Sequence, residues 1–210
     1  MDIITLKNVK KYFGADPRMV RAAVIGSSGS GKTTLLNLIG GLYRPTEGTV
    51  IVDGIDLSSL DEDHLTVFRR RKVGFIFQEY NLVPDLTVRE NILFPLALDN
   101  SRADMAFFGR LTELLGLERY LDSFPHMLSG GAQQCTAIAR ALMTRPAIVL
   151  ADEPTGSFDA KTSQNVAGLL KLTAETFHQS LIMITHNLEL AQLADRVIRL
   201  EDGRVVSDGR

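Results

Sequence analysis

Cysteine is nearly missing from this 210-residue sequence: Cys135 stands alone, so no disulfide can close within the chain, which suits a reducing compartment. An excess of one charge is missing too. The 23 lysines and arginines against 25 acids leave a net charge of −2, which argues against a broad nucleic-acid surface. The one basic run, Arg69-Arg70-Arg71-Lys72, reads as the solvated end of a helix. No apolar stretch approaches the roughly 20 residues that cross a bilayer, so any link to a membrane is expected to run through a partner. The opening "MDIITLKNVKKYF" lacks the long apolar core of a secretory leader. Internal repeats and low-complexity linkers are also absent, and the length suits one domain with a small inserted lobe.

What the chain does have is a set of short apolar runs of strand length: "AAVI" (22–25), "VGFIF" (73–77), "AIVLA" (147–151) and "LIMIT" (181–185). They do not alternate with polar residues, as befits strands buried on both faces of a parallel sheet. Helical patterns separate them, for example Leu35, Leu36, Leu38 and Ile39, then Ala137, Ile138, Ala141 and Leu142. This alternation predicts an α/β fold with crossover helices. The stretch "TEGTVIVDGIDL" (46–57) reads as one strand between turns, and "RVIRLEDGRVV" (196–206) as a closing hairpin over Asp202-Gly203. Between about 80 and 140 no strand signal appears. "TVRENILFPLAL" and "MAFFGRLTELLGL" predict a helical lobe there, with Pro84 and Pro125 near its edges. The expected division is a core of 1–79 and 141–210 with a lobe of 80–140.

Each apolar run ends on a residue with chemistry to offer: Gly26, Gln78, Asp152 and His186. Open parallel sheets bind ligands outside the carboxyl ends of their strands, so four loops converge on one edge. "GSSGSGKT" (26–33) fits G-x-x-x-x-G-K-[ST] between a strand and a helix. Gly26, Ser27, Ser28, Gly29, Ser30 and Gly31, with Lys32, Thr33 and Thr34 opening the helix, form the predicted cradle for the phosphates of ATP. Lys32 is placed to reach the β- and γ-phosphates, and the Thr33 hydroxyl to hold Mg²⁺. "IVLADE" supplies an acid at a strand end, Asp152, for the metal, and Glu153 to take a proton from an attacking water. Ser129, Gly130 and Gly131, at the start of another helix, make a second anion site.

Taken in order, the loop 26–33, "FQ" at 77–78, "LSGG" at 128–131, "IVLADE" at 148–153, "FD" at 158–159 and "TH" at 185–186 resemble the ATP-binding subunit of an ATP-binding-cassette (ABC) transporter. The resemblance covers essentially the whole chain. "GFIFQEYNLVPDLTVRENI" and "ADEPTGSFD" are most similar to the branch that releases lipoproteins or exports macrolides and antimicrobial peptides. It implies a P-loop nucleotide-hydrolase core with a mostly parallel sheet, a small antiparallel β lobe and the inserted helical lobe. It implies a homodimer, or a heterodimer of cassettes, that sandwiches two ATP molecules, each "LSGG" capping the γ-phosphate held by the other subunit. It further implies an ATPase on the cytoplasmic face of the membrane, bound there through a permease subunit or domain. By the same resemblance Gln78 senses Mg²⁺ and the attacking water, His186 contacts the γ-phosphate, Asp159 crosses the dimer interface, and an aromatic residue, Phe13 or its neighbour Tyr12, stacks on adenine.

Some positions depart from that pattern. Ala132 and Cys135 stand where relatives usually carry Gln and Arg, Asn187 replaces an acid, and Ser157-Phe158 alter the interface loop. The Phe13-to-Gly26 interval is short, as if a strand and turn were missing. Because Lys32, Asp152, Glu153 and His186 are all present, the expectation is a weakened but usable ATPase that drives a permease. The alternative is a nucleotide-responsive binding module with weak or no hydrolysis. A cassette ATPase serving nucleic acid is the third reading, and the balanced charge weighs against it.

Overall fold

A computed structural model describes residues 21–209. Eight strands are formed within that span: β1 (Arg21–Ile25), β2 (Ile51–Val52), β3 (Ile55–Asp56), β4 (Val73–Phe77), β5 (Ile148–Asp152), β6 (Ser180–Ile184), β7 (Arg196–Glu201) and β8 (Arg204–Gly209). Six of them make one sheet in the order β4-β5-β6-β1-β7-β8, parallel except where β8 returns beside β7. Neighbouring residues of a strand face opposite sides. Leu150, Ile182 and Ile184 join one apolar cluster, while Val149, Ala151, Leu181 and Met183 join another. Two cores, one on each face, explain why the runs are apolar without alternation.

Seven α-helices cover the two faces: α1 (Lys32–Ile39), α2 (Glu62–Lys72), α3 (Val88–Leu98), α4 (Met105–Leu114), α5 (Gly130–Met143), α6 (Ala160–Thr176) and α7 (Leu188–Ala191). The first two pack on one face through Leu36, Ile39, Leu65 and Phe68. On the other, α5 carries buried Ile138, Ala139 and Leu142 into a cluster shared with α3, α4 and α6. The 80–140 stretch is accordingly helical, and α5 runs across position 140 from the lobe toward the sheet. A reciprocal cap starts α3: Thr87 Oγ1 accepts from Glu90 N–H, and the Glu90 carboxylate accepts from Thr87 N–H. Among the described residues no helix is long and apolar enough to cross a membrane.

Two details differ from the sequence reading. The 46–57 stretch is not one strand. It folds into the β2–β3 hairpin, because Asp53 (φ 51°) and Gly54 (φ 75°) both take the left-handed conformation that a tight two-residue turn demands. This hairpin is the small antiparallel sheet. The basic run, for its part, is more than a solvated helix end. It does close α2, but Arg70 and Arg71 pair with Asp99 just beyond α3, and Lys72 pairs with Asp53. The 196–206 stretch is the β7–β8 hairpin, with Asp202 (φ 46°) and Gly203 (φ 72°) at its turn.

Candidate functional site

The loop after β1 wraps the start of α1. Gly31 caps that helix at φ 96°, a conformation that a side chain would resist, and so turns the first helical N–H groups toward the loop. Lys32 Nζ donates to the carbonyls of Gly26 and Ser27, at 2.9 and 2.8 Å, so its cation lies within the loop itself. Here a cleft of about 460 Å³ opens, lined by loop residues Gly26, Ser28, Gly29 and Gly31, then Lys32, Thr33 and Thr34, and across from them Asp152, Glu153, Ile184 and His186. Three strand ends thus meet at one cavity. Ser27 and Ser30 are not part of the lining. Ser30 is turned inward (2% exposed), and its N–H is taken by the Ser27 carbonyl.

Asp152 ends β5 with its carboxylate near the Thr33 hydroxyl. Burial pushes its pKa above the usual carboxylate range, and the neighbouring Thr33 hydroxyl only partly offsets that. A half-buried carboxylate beside a hydroxyl is a hard-oxygen donor pair, the kind Mg²⁺ uses together with phosphate oxygens. Among the described residues no group of three or more His, Cys, Asp or Glu could hold a metal ion. Any cation here would share its coordination with the ligand, as the Asp152–Thr33 pair fits.

Glu153 follows in the left-handed region (φ 45°), a strained position for a residue with a side chain. Its backbone is fixed at both ends, its N–H donating to the Ile184 carbonyl at 3.1 Å and its carbonyl accepting from Gly156. The carboxylate meets His186 Nδ1 at 2.9 Å; the acid is 20% exposed and the imidazole 72%. The strain thus directs the acid toward the cleft and the histidine holds it there. Asn187, in place of the usual acid, caps α7 by accepting from the N–H groups of Glu189 and Leu190, which preserves the local turn.

The other predicted residues lie away from this cleft. Gln78 follows β4 with its amide against Gly156, where an added Cβ would stand 2.9 Å from Nε2. Ser129 caps α5, accepting weakly from Ala132 N–H at 3.4 Å, and no acid sits in the first turn to oppose an anion. Neither Ser129, Gly130 nor Gly131 lines the cleft of its own chain. Asp159 caps α6, accepting from the N–H and the hydroxyl of Thr162, and these bonds hold its carboxyl below the usual range. Phe13, Tyr12 and most of the short interval before Gly26 lie outside the described residues.

Cys135 points into the apolar cluster that α5 shares with the sheet, only 8% exposed. Burial raises its thiol to about 11, so it stays protonated and acts as a small apolar filler. Next to it the fully buried Gln134 amide has neither its nitrogen nor its oxygen hydrogen-bonded. Farther along α5, Arg140 braces the helix against the loop after β4, its guanidinium donating to the carbonyls of Tyr80 and Asn81. Sequence reasoning passed over both Tyr80 and Arg140. Its only available hint was the position of Tyr80 two residues after Gln78.

Comparison with known proteins places these features in a family. The profile described as "ABC transporter" matches residues 17–156. An uncharacterized ABC transporter ATP-binding protein of Methanocaldococcus jannaschii, MJ0796, is 41% identical over 97% of this chain and 95% of its own. That alignment runs over 223 positions, more than the 210 residues here, so this chain carries gaps relative to it. The lipoprotein-releasing system ATP-binding protein LolD 1 of Rhodopseudomonas palustris is 38% identical over 97% of this chain and 98% of its own. A macrolide export ATP-binding/permease protein MacB of Rhodopirellula baltica is 44% identical over 90% of this chain, which spans 28% of that protein. Among solved structures, a dimeric post-hydrolysis state of MJ0796 bound to ADP and Pi superposes with a TM-score of 0.80, covering 91% of this chain and 85% of that one at 40% identity.

Proposed function

The chain belongs to the ABC transporter family as an ATP-binding cassette, and from that premise we propose that it hydrolyses ATP as one half of a dimer that drives a membrane permease. The observation that carries the proposal is the meeting of Lys32, the Asp152–Thr33 pair and the strained Glu153–His186 pair in one cleft. The phosphates of ATP are the substrate of the cradle 26–34. Thr33 and Asp152 would hold Mg²⁺, which supplies positive charge against the phosphate oxygens.

Glu153 then takes the proton of a water whose oxygen attacks the γ-phosphorus, as the bond to the β–γ bridging oxygen breaks and ADP leaves. His186 keeps that carboxylate aimed and presents the far side of its ring to the γ-phosphate. Gln78 would enter this arrangement from its place against Gly156. Ser129, Gly130 and Gly131, which do not line their own cleft, suit a second subunit's nucleotide. The dimeric structure of the relative with ADP and Pi supports that arrangement. Asp159 would lie at the interface and Phe13 against adenine.

The core of 1–79 and 141–210 and the lobe of 80–140 would move as two bodies, with α5 joining them. The partner would be a permease of the export or lipoprotein-release type, as in the systems for which LolD and MacB are named, and would hold the chain on the cytoplasmic face. The binding-module alternative is not favoured: Ala132 packs against the lobe core, Cys135 lies within it, and neither lines the cleft.

Among the described residues Lys32 is the one lysine or arginine lining this cleft. Calorimetry of Lys32→Ala with Mg-ATP tests the reading. Affinity should fall by about a hundredfold or more, on the order of 3 kcal/mol, and phosphate release should stop. An affinity near that of the parent would refute it.

A further inference from the structure

Residues 156–158 touch three parts of the chain. Gly156 has no side chain, and the Gln78 amide fills the space where one would stand. The Ser157 hydroxyl lies 3.4 Å from the Tyr80 hydroxyl. The Phe158 ring stacks on Tyr80, centroids 6.2 Å apart and planes 17° from parallel. Both rings close over Gly130, where an added Cβ would stand 3.0 Å from Tyr80 Oη and 3.1 Å from Phe158 Cε1. Tyr80 (φ 57°) and Asn81 (φ 48°) are both left-handed, an arrangement that a tyrosine keeps only if its surroundings enforce it. Arg140, from α5, enforces it by donating to both carbonyls.

We propose that Tyr80 and Phe158 are positioning residues: their stack joins the Gln78 loop, the loop that ends at Asp159 and the start of α5 into one unit. The proposal rests on the ATPase reading above. Its consequence is mechanical. Ser129–Gly131 cannot seat on a partner's nucleotide without carrying the Gln78 loop along, so the arrival of one ligand is felt at the other cleft. Neither ring lines the ATP cleft, so the pair acts on turnover through Gln78 and not on nucleotide binding.

A double-mutant cycle on the full chain tests this. Phe158→Ala and Tyr80→Ala should each lower kcat about tenfold while calorimetric Mg-ATP affinity stays within about twofold, and the double variant should lose no more than either single one. Phe158→Tyr, which keeps the ring, should turn over like the parent. Phe158→Leu keeps apolar volume without stacking, should fall between, and serves if the alanine variant does not fold. Unchanged kcat in Phe158→Leu, single losses that multiply in the double variant, or equal loss of affinity and kcat would each overturn the proposal. If the parent hydrolyses ATP and Lys32→Ala does not, the ATPase reading survives such a result and the stack alone is refuted. A parent without ATPase activity refutes both.

Discussion

The phosphate cradle and the start of α5 are both proposed above as anion-binding helix ends, yet they are held in opposite ways. At the cradle nine consecutive residues, 26–34, make the loop and the helix start, and Lys32 bonds to carbonyls only five and six positions away. At Ser129–Gly131 the local side-chain bonds are long: Ser129 Oγ accepts from Ala132 N–H at 3.4 Å, and Gln133 Nε2 donates to the Leu128 carbonyl at 3.3 Å. The rest comes from far along the chain, from Phe158 and Tyr80 over Gly130 and from Arg140 at the other end of the helix. A site built from one short segment keeps its geometry whatever distant elements do, whereas one built from long-range contacts follows them. The difference suits the two tasks proposed above, nucleotide binding at the cradle and closure at the helix.

If the comparison is right, damage at the cleft should be severe and local. Glu153→Gln should lower phosphate release by about 10²–10⁴-fold, because it removes the proton acceptor and leaves the cradle intact. ATP affinity should persist, and gel filtration with ATP should show a dimer that ADP does not sustain. A variant that still turns over at a tenth of the parent rate would move the base elsewhere.

Asp152 separates chemistry from stability at the same place. Burial raises its carboxyl pKa, so the native state holds that proton more tightly than the unfolded chain does. Native stability therefore falls as pH climbs from the unfolded value through the raised native one, and the loss persists at neutral pH. Asp152→Asn removes that cost. Without nucleotide its Tm should rise by about 1–4 °C near pH 7, with the gain vanishing toward pH 3, while Mg²⁺-dependent turnover drops about a hundredfold or more. A lower Tm at pH 7 would mean that the favourable surroundings of the carboxylate, Thr33 and Lys32, outweigh burial.

Damage at the helix end should look different. Gly130→Ala sets a methyl 3.0 Å from Tyr80 Oη and 3.1 Å from the Phe158 ring, so both must give by a few tenths of an ångström. Overpacking of this kind should cost turnover about tenfold and leave ATP affinity within about twofold, since the cradle is untouched. A matching loss of affinity, read by calorimetry, would erase the distinction between the two regions.

How far the sequence could be read follows the same division. The parallel sheet, its strand ends and the cradle were legible because chemistry fixes residue types over short spans: glycines for the turn, a lysine for phosphate, an acid after a buried strand. The β2–β3 turn was legible too, since Asp53-Gly54 states it, but the strand pattern around it looked continuous. What could not be read were contacts whose partners lie 50 residues or more apart, Arg140 with Tyr80 or Tyr80 with Phe158. Nor could the orientation of Cys135 be read, because a helical position shows its direction only once the neighbouring helices are placed.

That orientation sharpens the smallest expected effect. Exchanging both positions for the residues usual in relatives, Ala132→Gln and Cys135→Arg, should not act as one change. The structure divides them. Ala132 is half-buried in the first turn of α5, so a glutamine there can extend toward the face proposed to meet a partner's nucleotide. Cys135 sits in the apolar cluster, where an arginine must bury its charge or displace its neighbours. The unsatisfied Gln134 amide next to it offers the guanidinium an acceptor, but only one. Ala132→Gln alone should therefore raise turnover by no more than about threefold, with ATP affinity changed by less than ~0.7 kcal/mol. Cys135→Arg alone should lower Tm by about 4–8 °C, as overpacking that costs about 2 kcal/mol does in a chain of this size. If the two together restore Tm and exceed Ala132→Gln in turnover, the buried amide is the partner the arginine needs. Relatives would then hold their helix from within, where this chain relies on Arg140 and two aromatic rings.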